Sequence, residues 1–393
     1  MATVGLQTLK RALTVKRAYA KMLESKLTSE SINASRSDWH ARRLPRPCGL
    51  TVHTCIGCPF YCTYCYIDDL GFAHGEAHPY ALKAEEWIYA VLSNPSFLPG
   101  NLGTYLAFGS VCEPLHGKCG ERTISYLEQV VKLGNPCQVA TKAVIDEELA
   151  EKLSKVGGGL LNVLVTIVTL KHHEKLEPRT PSPLDRIEAL KNLRKAGVPT
   201  FIFLRPLIPG INIEEVEEIV VEGKQAGAVG VVLGGFRVSK RILERLEKAG
   251  VNTSEIKRRI PKRWEGRRLI DIVVADLKRE ATKVVEEKGL IPLQSACCAT
   301  TLSYMLSKGE RIPCAGLCYI DRRNCYAKCP VRCRELLSKL DEEEAVEALK
   351  LLGAIPLEVK IEDLIVKARV RGAKTCRVVN LFNTSFRRRL MVK

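Results

Sequence analysis

Between residues 49 and 235, six short apolar runs alternate with amphipathic stretches, and that alternation leaves few folds open. The runs are GLTVHTC (49–55), TYLAFG (104–109), PCQVAT (136–141), LLNVLVTIVTL (160–170), TFIFLRP (200–206) and AVGVVLGG (228–235). Between them lie helical patterns such as ALKAEEWIYAVL, ERTISYLEQVVKL and PLDRIEALKNLRKAG. Near-continuous strands rich in Val, Ile and Leu, separated by amphipathic helices, point to a parallel sheet covered by helices. Gly197 and Gly227 stand where helix ends call for a left-handed residue. Six βα units are enough for an open partial barrel and too few for a closed eight-fold one. The expected fold class is therefore α/β, a partial (β/α)6 barrel. A basic N-terminal helix and arm precede it, and a Cys-rich, mostly helical extension follows. The expected boundaries are 1–48, 49–250, 251–340 and 341–393, the last a basic tail region.

In such folds chemistry collects in the loops after the strands. The first of these loops is TVHTCIGCPFYCTYCYID (51–68), with Cys55, Cys58, Cys62 and Cys65 threaded among aromatics. Cysteines three apart can form a redox dithiol, and two such pairs can hold zinc. Cys58, Cys62 and Cys65 also make the uneven spacing C-x3-C-x2-C, which leaves one iron of a cubane cluster open to another ligand. The chain has 16 cysteines, clustered at 55–65 and 297–333. No compact apolar leader segment is evident, so a cytoplasmic setting and metal or iron–sulfur ligation are expected over a disulfide framework. No apolar run is long enough to span a bilayer, so no membrane partner is expected.

The net charge of +17 is unevenly placed. Residues 1–50 carry ten Lys/Arg against three Asp/Glu, and residues 361–393 carry nine against two. Basic ends around a nearly neutral centre suggest a polyanionic partner, most simply nucleic acid, although a solvated surface gives the same count. Residues 28–47 read as an irregular arm. The stretch TSEIKRRIPKRWEGRR (253–268) adds seven basic residues around Trp264, a pattern suited to a phosphate backbone and an unstacked base if that aromatic is exposed.

The first loop resembles that of radical S-adenosylmethionine (SAM) enzymes. GSVCEP (109–114), LEPRTPSPLDR (176–186) and RPLIPGIN (205–212) resemble the spore photoproduct lyase-like branch, related to DNA repair photolyases. The resemblance implies a radical SAM barrel in which Cys58, Cys62 and Cys65 ligate a [4Fe-4S] cluster. The fourth iron would chelate SAM, which one electron cleaves to a 5′-deoxyadenosyl radical. It implies an electron donor such as ferredoxin or flavodoxin. It further implies that Tyr64 packs near the adenine and that Gly109 and Ser110 offer backbone to the SAM amino group. Thr141 and Thr166 become candidates for the ribose hydroxyls, and Arg179 for the carboxylate, unless it pairs with Glu174 or Glu177. The family's usual acidic ending is replaced by Val111-Cys112-Glu113. Cys112 is a candidate hydrogen-atom donor or an inert buried thiol, and Cys55 is expected to be structural.

The resemblance leaves the second cysteine cluster unexplained. Cys314, Cys318, Cys325, Cys329 and Cys333, with Cys297 and Cys298 nearby, suggest an auxiliary [4Fe-4S] cluster or structural zinc. Arg322, Arg323, Lys328, Arg332 and Arg334 beside them would suit a nucleic-acid contact. The leading expectation is a radical SAM enzyme acting on a nucleic acid, in repair or base modification. The alternatives are modification of a protein or peptide, and a non-catalytic zinc-dependent nucleic-acid binder.

Overall fold

In the computed structural model, which describes residues 4–266, 268–321, 325–372 and 375–392, the six apolar runs are six parallel strands. They are β1 (Leu50–Val52), β2 (Leu106–Phe108), β3 (Cys137–Thr141), β4 (Leu161–Thr166), β5 (Thr200–Leu204) and β6 (Gly230–Leu233). A seventh, β7 (Ile291–Leu293), pairs with β6 from within the stretch read as extension. The sheet runs β1 to β7 in sequence order with every pairing parallel. It is an open, partial barrel of the expected class.

Strand β4 shows why the runs are continuously apolar. All six of its residues are buried. Val163 and Val165 join the core beneath the outer helices, while Leu164 faces a separate apolar cluster on the other side of the sheet. The outer layer includes helices 84–93, 118–133, 147–157, 183–195, 216–225 and 275–287. The inner side is filled by helix Ala296–Lys308, whose Ala299 and Leu302 cluster with Leu164, Phe201, Val232 and Leu293. Several polar groups trapped there pair with one another. The Tyr105 and Thr301 hydroxyls lie 2.8 Å apart, the Asn162 amide donates to Thr300 at 3.2 Å, and Thr300 donates to Gln138 at 2.9 Å.

The arm at 28–47 is not irregular. It holds helices Ser29–Ser37 and Trp39–Arg42. Thr28 caps the first by accepting from the Ser31 N–H, and Asp38 caps the second by accepting from the His40 N–H. These caps satisfy end groups that the polar composition alone does not reveal as helical. The pair is anchored on helix 84–93 through Ser31 to Glu86 at 2.6 Å and Arg36 to Tyr89 at 2.9 Å.

The extension is mostly helical, as expected, but its last part is a folded unit rather than a tail. Helix Glu342–Leu351 leads into β8 (Ile355–Glu362) and β9 (Ile365–Arg371), then helix Thr375–Phe386 and β10 (Arg389–Val392). These strands form a sheet in the order β8-β9-β10. The N-terminal helix Leu6–Glu24 packs on this unit, with Leu6, Leu9 and Ala12 in one cluster with Leu381, Phe382 and Phe386. Lys10 pairs with Glu347 at 2.6 Å. The two basic ends therefore share one side of the molecule.

Not all of their charge faces solvent. Arg387 and Arg388 are buried and donate to backbone carbonyls. Lys16 donates to the Phe97 carbonyl, and burial, with Arg377 nearby, pushes its pKa down to about 7. Trp264 is half-buried against the core with its indole N–H on the Arg268 carbonyl, so the condition of an exposed aromatic among these basic residues is not met. Arg322 and Arg323 lie outside the described residues. Among the described residues, no helix is long and apolar enough to cross a membrane.

Candidate active site at the C-terminal rim of the sheet

The cysteine loop leaves the sheet after β1 and returns through a two-residue antiparallel ladder, Cys55–Ile56 against His78–Pro79. Cys55 is bonded to Cys119 in a disulfide that ties the base of the loop to helix 118–133. Cys55 is thus structural in this fold, and Cys112 packs against that disulfide. Within the loop Cys62 is buried, and Cys58 and Cys65 are half-buried.

A buried ion pair pins this loop to the loop after β4. Glu177 Oε2 and the Arg186 guanidinium are 2.7 Å apart, and neither side chain is exposed. The Tyr64 hydroxyl donates to Glu177 Oε1, and the Thr63 N–H donates to the Leu176 carbonyl at 2.9 Å. Arg186 also donates to the Thr166 carbonyl at 2.8 Å, which ties the pair to the end of β4. Burial opposes the Glu177 charge, but Arg186 and Lys142 outweigh it and hold the carboxyl below its usual range. The residues are placed by a capping box: Ser182 Oγ accepts from the Asp185 N–H, and the Asp185 carboxylate accepts from the Ser182 N–H. That box starts helix 183–195 with Arg186 in its first turn, aimed inward. The alternative for Arg179, a surface pairing with Glu177, does not occur, because Glu177 is buried against Arg186.

The loops after β2 and β3 are joined through Glu113. Its carboxylate accepts from the Thr141 hydroxyl at 2.5 Å and from the Lys142 N–H at 2.8 Å. Burial raises the Glu113 pKa despite these bonds. Gly109, at φ +81°, has no room for a side chain: a Cβ would fall 2.0 Å from the Ala140 carbonyl oxygen. This part of the rim therefore presents bare backbone, with exposed Ser110 next to it. On the other flank Arg245 binds the Cys65 carbonyl and the Asp68 carboxylate.

Of the residues singled out from the sequence, Cys58, Cys62, Cys65, Tyr64, Gly109, Ser110, Thr141 and Thr166 all lie at the C-terminal ends of β1 to β4 or in the loops that follow. The Thr141 hydroxyl is already engaged, donating to Glu113 and accepting from the Ala143 N–H. Arg179 is exposed and sits 4.3 Å above the ring of Tyr61. Lys142, Glu177 and Arg186 went unassigned, although Glu177 and Arg186 bracket the LEPRTPSPLDR segment. Burial pushes the Cys58 thiol up to about 11 and raises Cys62 and Cys65 as well. Such thiols ionise when a metal compensates the lost hydration.

The chemistry of this donor set fits an iron–sulfur cluster. A single tetrahedral zinc with Zn–S of about 2.3 Å needs sulfurs about 3.8 Å apart. Among the described residues the three-thiol group with every sulfur within 4.8 Å of the others is Cys297, Cys298 and Cys314, not the loop triad. Spread thiols on one loop suit a group that offers a separate metal to each.

Residues 52–222 match the Radical SAM superfamily. An uncharacterized protein of Mycobacterium bovis is 22% identical over 203 residues, covering 49% of this chain and 60% of that protein. An uncharacterized protein of Acidianus two-tailed virus is 22% identical over 200 residues, covering 47% of this chain and 64% of that protein. The chain thus spans less than two thirds of the length of these curated relatives. Among solved structures, a spore photoproduct lyase variant with bound AdoMet and dinucleoside spore photoproduct has a similar fold, with TM-score 0.51 and 14% identity. The match covers 68% of this chain and 85% of that one. Spore photoproduct lyase complexed with dinucleoside spore photoproduct matches with TM-score 0.50 and 14% identity over 67% of this chain and 83% of that one.

Proposed function

We propose that the chain is a radical SAM enzyme acting on a nucleic acid, because residues 52–222 match the Radical SAM superfamily and the fold is similar to that of spore photoproduct lyase. When bound, a [4Fe-4S] cluster supplies the electron that splits SAM to a 5′-deoxyadenosyl radical. Cys58, Cys62 and Cys65 would hold it. The observation that carries this reading is their position: three spread thiols on the loop after β1, locked by Tyr64, Glu177 and Arg186 to the loop after β4. That lock fixes the loop without using the thiols themselves, so they stay available as ligands. The bare backbone at Gly109 and the hydroxyl of Ser110 would receive the polar end of SAM, with Thr141 and Thr166 beside them at the ends of β3 and β4. Arg179, stacked on Tyr61, is free to approach a carboxylate from the rim. A small electron-transfer protein of the ferredoxin or flavodoxin type would supply the electron.

Two observations support a nucleic-acid substrate. The basic ends of the chain meet in one apolar cluster, so exposed Arg11, Arg17 and Lys21 and exposed Arg369, Arg371 and Arg377 belong to one side. At the rim, Tyr61 is stacked with His74 and carries the exposed Arg179 guanidinium over its ring, and a guanidinium plane is a surface on which an unstacked base can lie. The spore photoproduct lyase structures named above hold a dinucleoside photoproduct.

Anaerobic reconstitution with iron and sulfide, then dithionite and SAM, tests the reaction. 5′-Deoxyadenosine should form, vanish in Cys58→Ala, Cys62→Ala and Cys65→Ala, and persist in Cys55→Ala. 5′-Deoxyadenosine formed at the unsubstituted rate by any one of the three triad variants would show that the triad assignment is wrong. For the substrate, reversing Arg11, Arg17 and Lys21 to Glu should flatten the dependence of log K on log salt for duplex DNA. The expected flattening is roughly 2.7, about 0.9 for each phosphate no longer neutralised. An unchanged slope removes this surface from the reading.

A further inference from the structure

The second group of cysteines gathers in space, with Cys314, Cys318, Cys325, Cys329 and Cys333 all lining one cavity. Its tightest part is a trio, Cys297, Cys298 and Cys314, with all three Sγ atoms within 4.8 Å of one another. Cys48, which lies far away in sequence just before β1, packs against the buried cluster that holds Cys297 and Cys314. We propose that Cys48, Cys297, Cys298 and Cys314 are the thiolate ligands of a second metal centre, a zinc-class ion or an iron–sulfide cluster, set at the inner face of the sheet.

Four features support a built site. First, the trio has the crowding that one ion requires, since tetrahedral thiolates around zinc sit about 3.8 Å apart. Without a metal, three sulfurs so close together would gain little from one another, being weak donors and weak acceptors.

Second, the thiols sit where negative charge is favoured. Cys297 and Cys298 open the 13-residue helix 296–308, whose first N–H groups and dipole favour thiolates. Ser295, at the cap position, makes no capping bond. Its Oγ lies instead 3.0 Å from Cys297 Sγ and 3.3 Å from Cys298 Sγ.

Third, the backbone is shaped around the sulfurs. A Cβ on Gly316 would fall 2.7 Å from Cys297 Sγ, and its N–H donates to Cys314 Sγ at 3.4 Å. The Cys314 N–H in turn donates to Cys333 Sγ at 3.3 Å. N–H groups aimed at sulfur are a common means of stabilising bound thiolate.

Fourth, Cys298 and Cys314 line a small cavity of about 30 Å³ together with Cys318, Cys325, Cys329 and Cys333. The centre therefore has further thiols within reach as outer partners or as extra ligands.

The ligand set also states what the centre does. Cys48 precedes β1, whereas Cys297 and Cys298 start the helix that fills the inner side of the sheet. Metal bound between them clamps the N-terminal entry of the sheet to that helix. This requires no step of the radical chemistry.

The test separates the two metal sites. The full-length Cys58→Ala/Cys62→Ala/Cys65→Ala protein is reconstituted anaerobically in two arms, zinc sulfate alone or iron with sulfide. Metal and sulfide are counted after desalting. The expected result is about one zinc, or iron with matching sulfide, retained by the triple variant. Adding Cys298→Ser or Cys314→Ser should abolish retention, and Cys48→Ser should speed metal loss to a chelator at least tenfold. Cys48→His, which keeps a ligand, should restore most of the zinc retention, and Cys376→Ser at the exposed cysteine should change nothing. The circular dichroism spectrum distinguishes an unfolded variant from one that has lost only metal. No retained metal in either arm overturns the proposal, and retention indifferent to Cys48→Ser overturns this ligand set. Because the loop triad is absent throughout, neither result bears on 5′-deoxyadenosine formation.

Discussion

The Glu177–Arg186 pair offers the sharpest test of how the rim is held together. Both side chains are fully buried and in contact at 2.7 Å. Replacing Glu177 by Gln keeps the shape and removes one charge, leaving the Arg186 guanidinium uncompensated. Breaking a buried pair from one side costs about 3–5 kcal/mol. Arg186 keeps its bonds to the Thr166 carbonyl at 2.8 Å and the Ser182 carbonyl at 3.4 Å, so the low end, about 3 kcal/mol, is expected. Removing both charges in Glu177→Gln/Arg186→Met takes away the buried cation, and the double variant should recover at least half of that loss. Tyr64→Phe removes only the hydroxyl bond to Glu177 and should cost about 1 kcal/mol. Urea unfolding of the metal-free proteins, followed by circular dichroism, gives the three values. A cost below about 1 kcal/mol for Glu177→Gln refutes the reasoning. So does a double variant no more stable than Glu177→Gln alone, because the penalty would then not come from an orphaned charge.

Two further perturbations probe the rim and its surroundings. Gly109→Ala combines φ +81° with a Cβ 2.0 Å from the Ala140 carbonyl oxygen. It should cost more than the ~1–2 kcal/mol of a left-handed backbone alone. Gly197→Ala, at φ +75° with open space around it, should cost only that, and equal thermal midpoints for the two would contradict the close-approach argument. Acid should also weaken the fold through His53 and His40. Burial first, and His40 second, push His53 down to about 3, and burial lowers His40 although Asp38 opposes it. Both are neutral when folded, while the unfolded chain binds protons below about pH 6.5. The His53 contribution is therefore complete above pH 6.5 and is lost as pH falls toward 3, by about 1.4 kcal/mol at pH 5.5, and His40 acts in the same direction. Urea midpoints at pH 7.5 and 5.5 measure it, and His53→Phe should shrink the difference by about 1.4 kcal/mol.

The barrel was legible because its strands carry their own signal. A strand buried on both faces must be apolar at consecutive positions, and the 160–170 run shows this without any knowledge of its neighbours. Strand β7 has only IPL to offer, and its pairing with β6 comes from tertiary context. The N-terminal helices at 29–42 hide for a different reason. Their stability comes from caps at Thr28 and Asp38 and from polar anchors on helix 84–93, so no apolar stripe marks them. Strand β8 is solvated along much of its length, with Val359 its buried residue. That leaves charge where a strand reading looks for an apolar run.

The site was legible only where its residues are close in sequence. The spacing of Cys58, Cys62 and Cys65 is a local property, whereas their immobilisation depends on contacts across more than a hundred residues, as between Tyr64 and Glu177. A motif that brackets such a contact can still reveal it. In LEPRTPSPLDR the prolines and the Ser182–Asp185 box fix the turn, so an acid at its start and an arginine at its end are forced toward one another. That inference needs no structure, and it would have assigned Arg186 rather than Arg179 to Glu177. The same logic fails for Cys48. Nothing within residues 40–60 distinguishes it from a chance cysteine, and it acquires the proposed role only because the segment before β1 packs against the cluster at the start of the helix at 296–308. A ligand set drawn from three distant stretches can form only after the chain has folded, so metal there can lock a fold that apolar burial has already chosen. The loop triad, confined to eight residues, can gather its metal without that help.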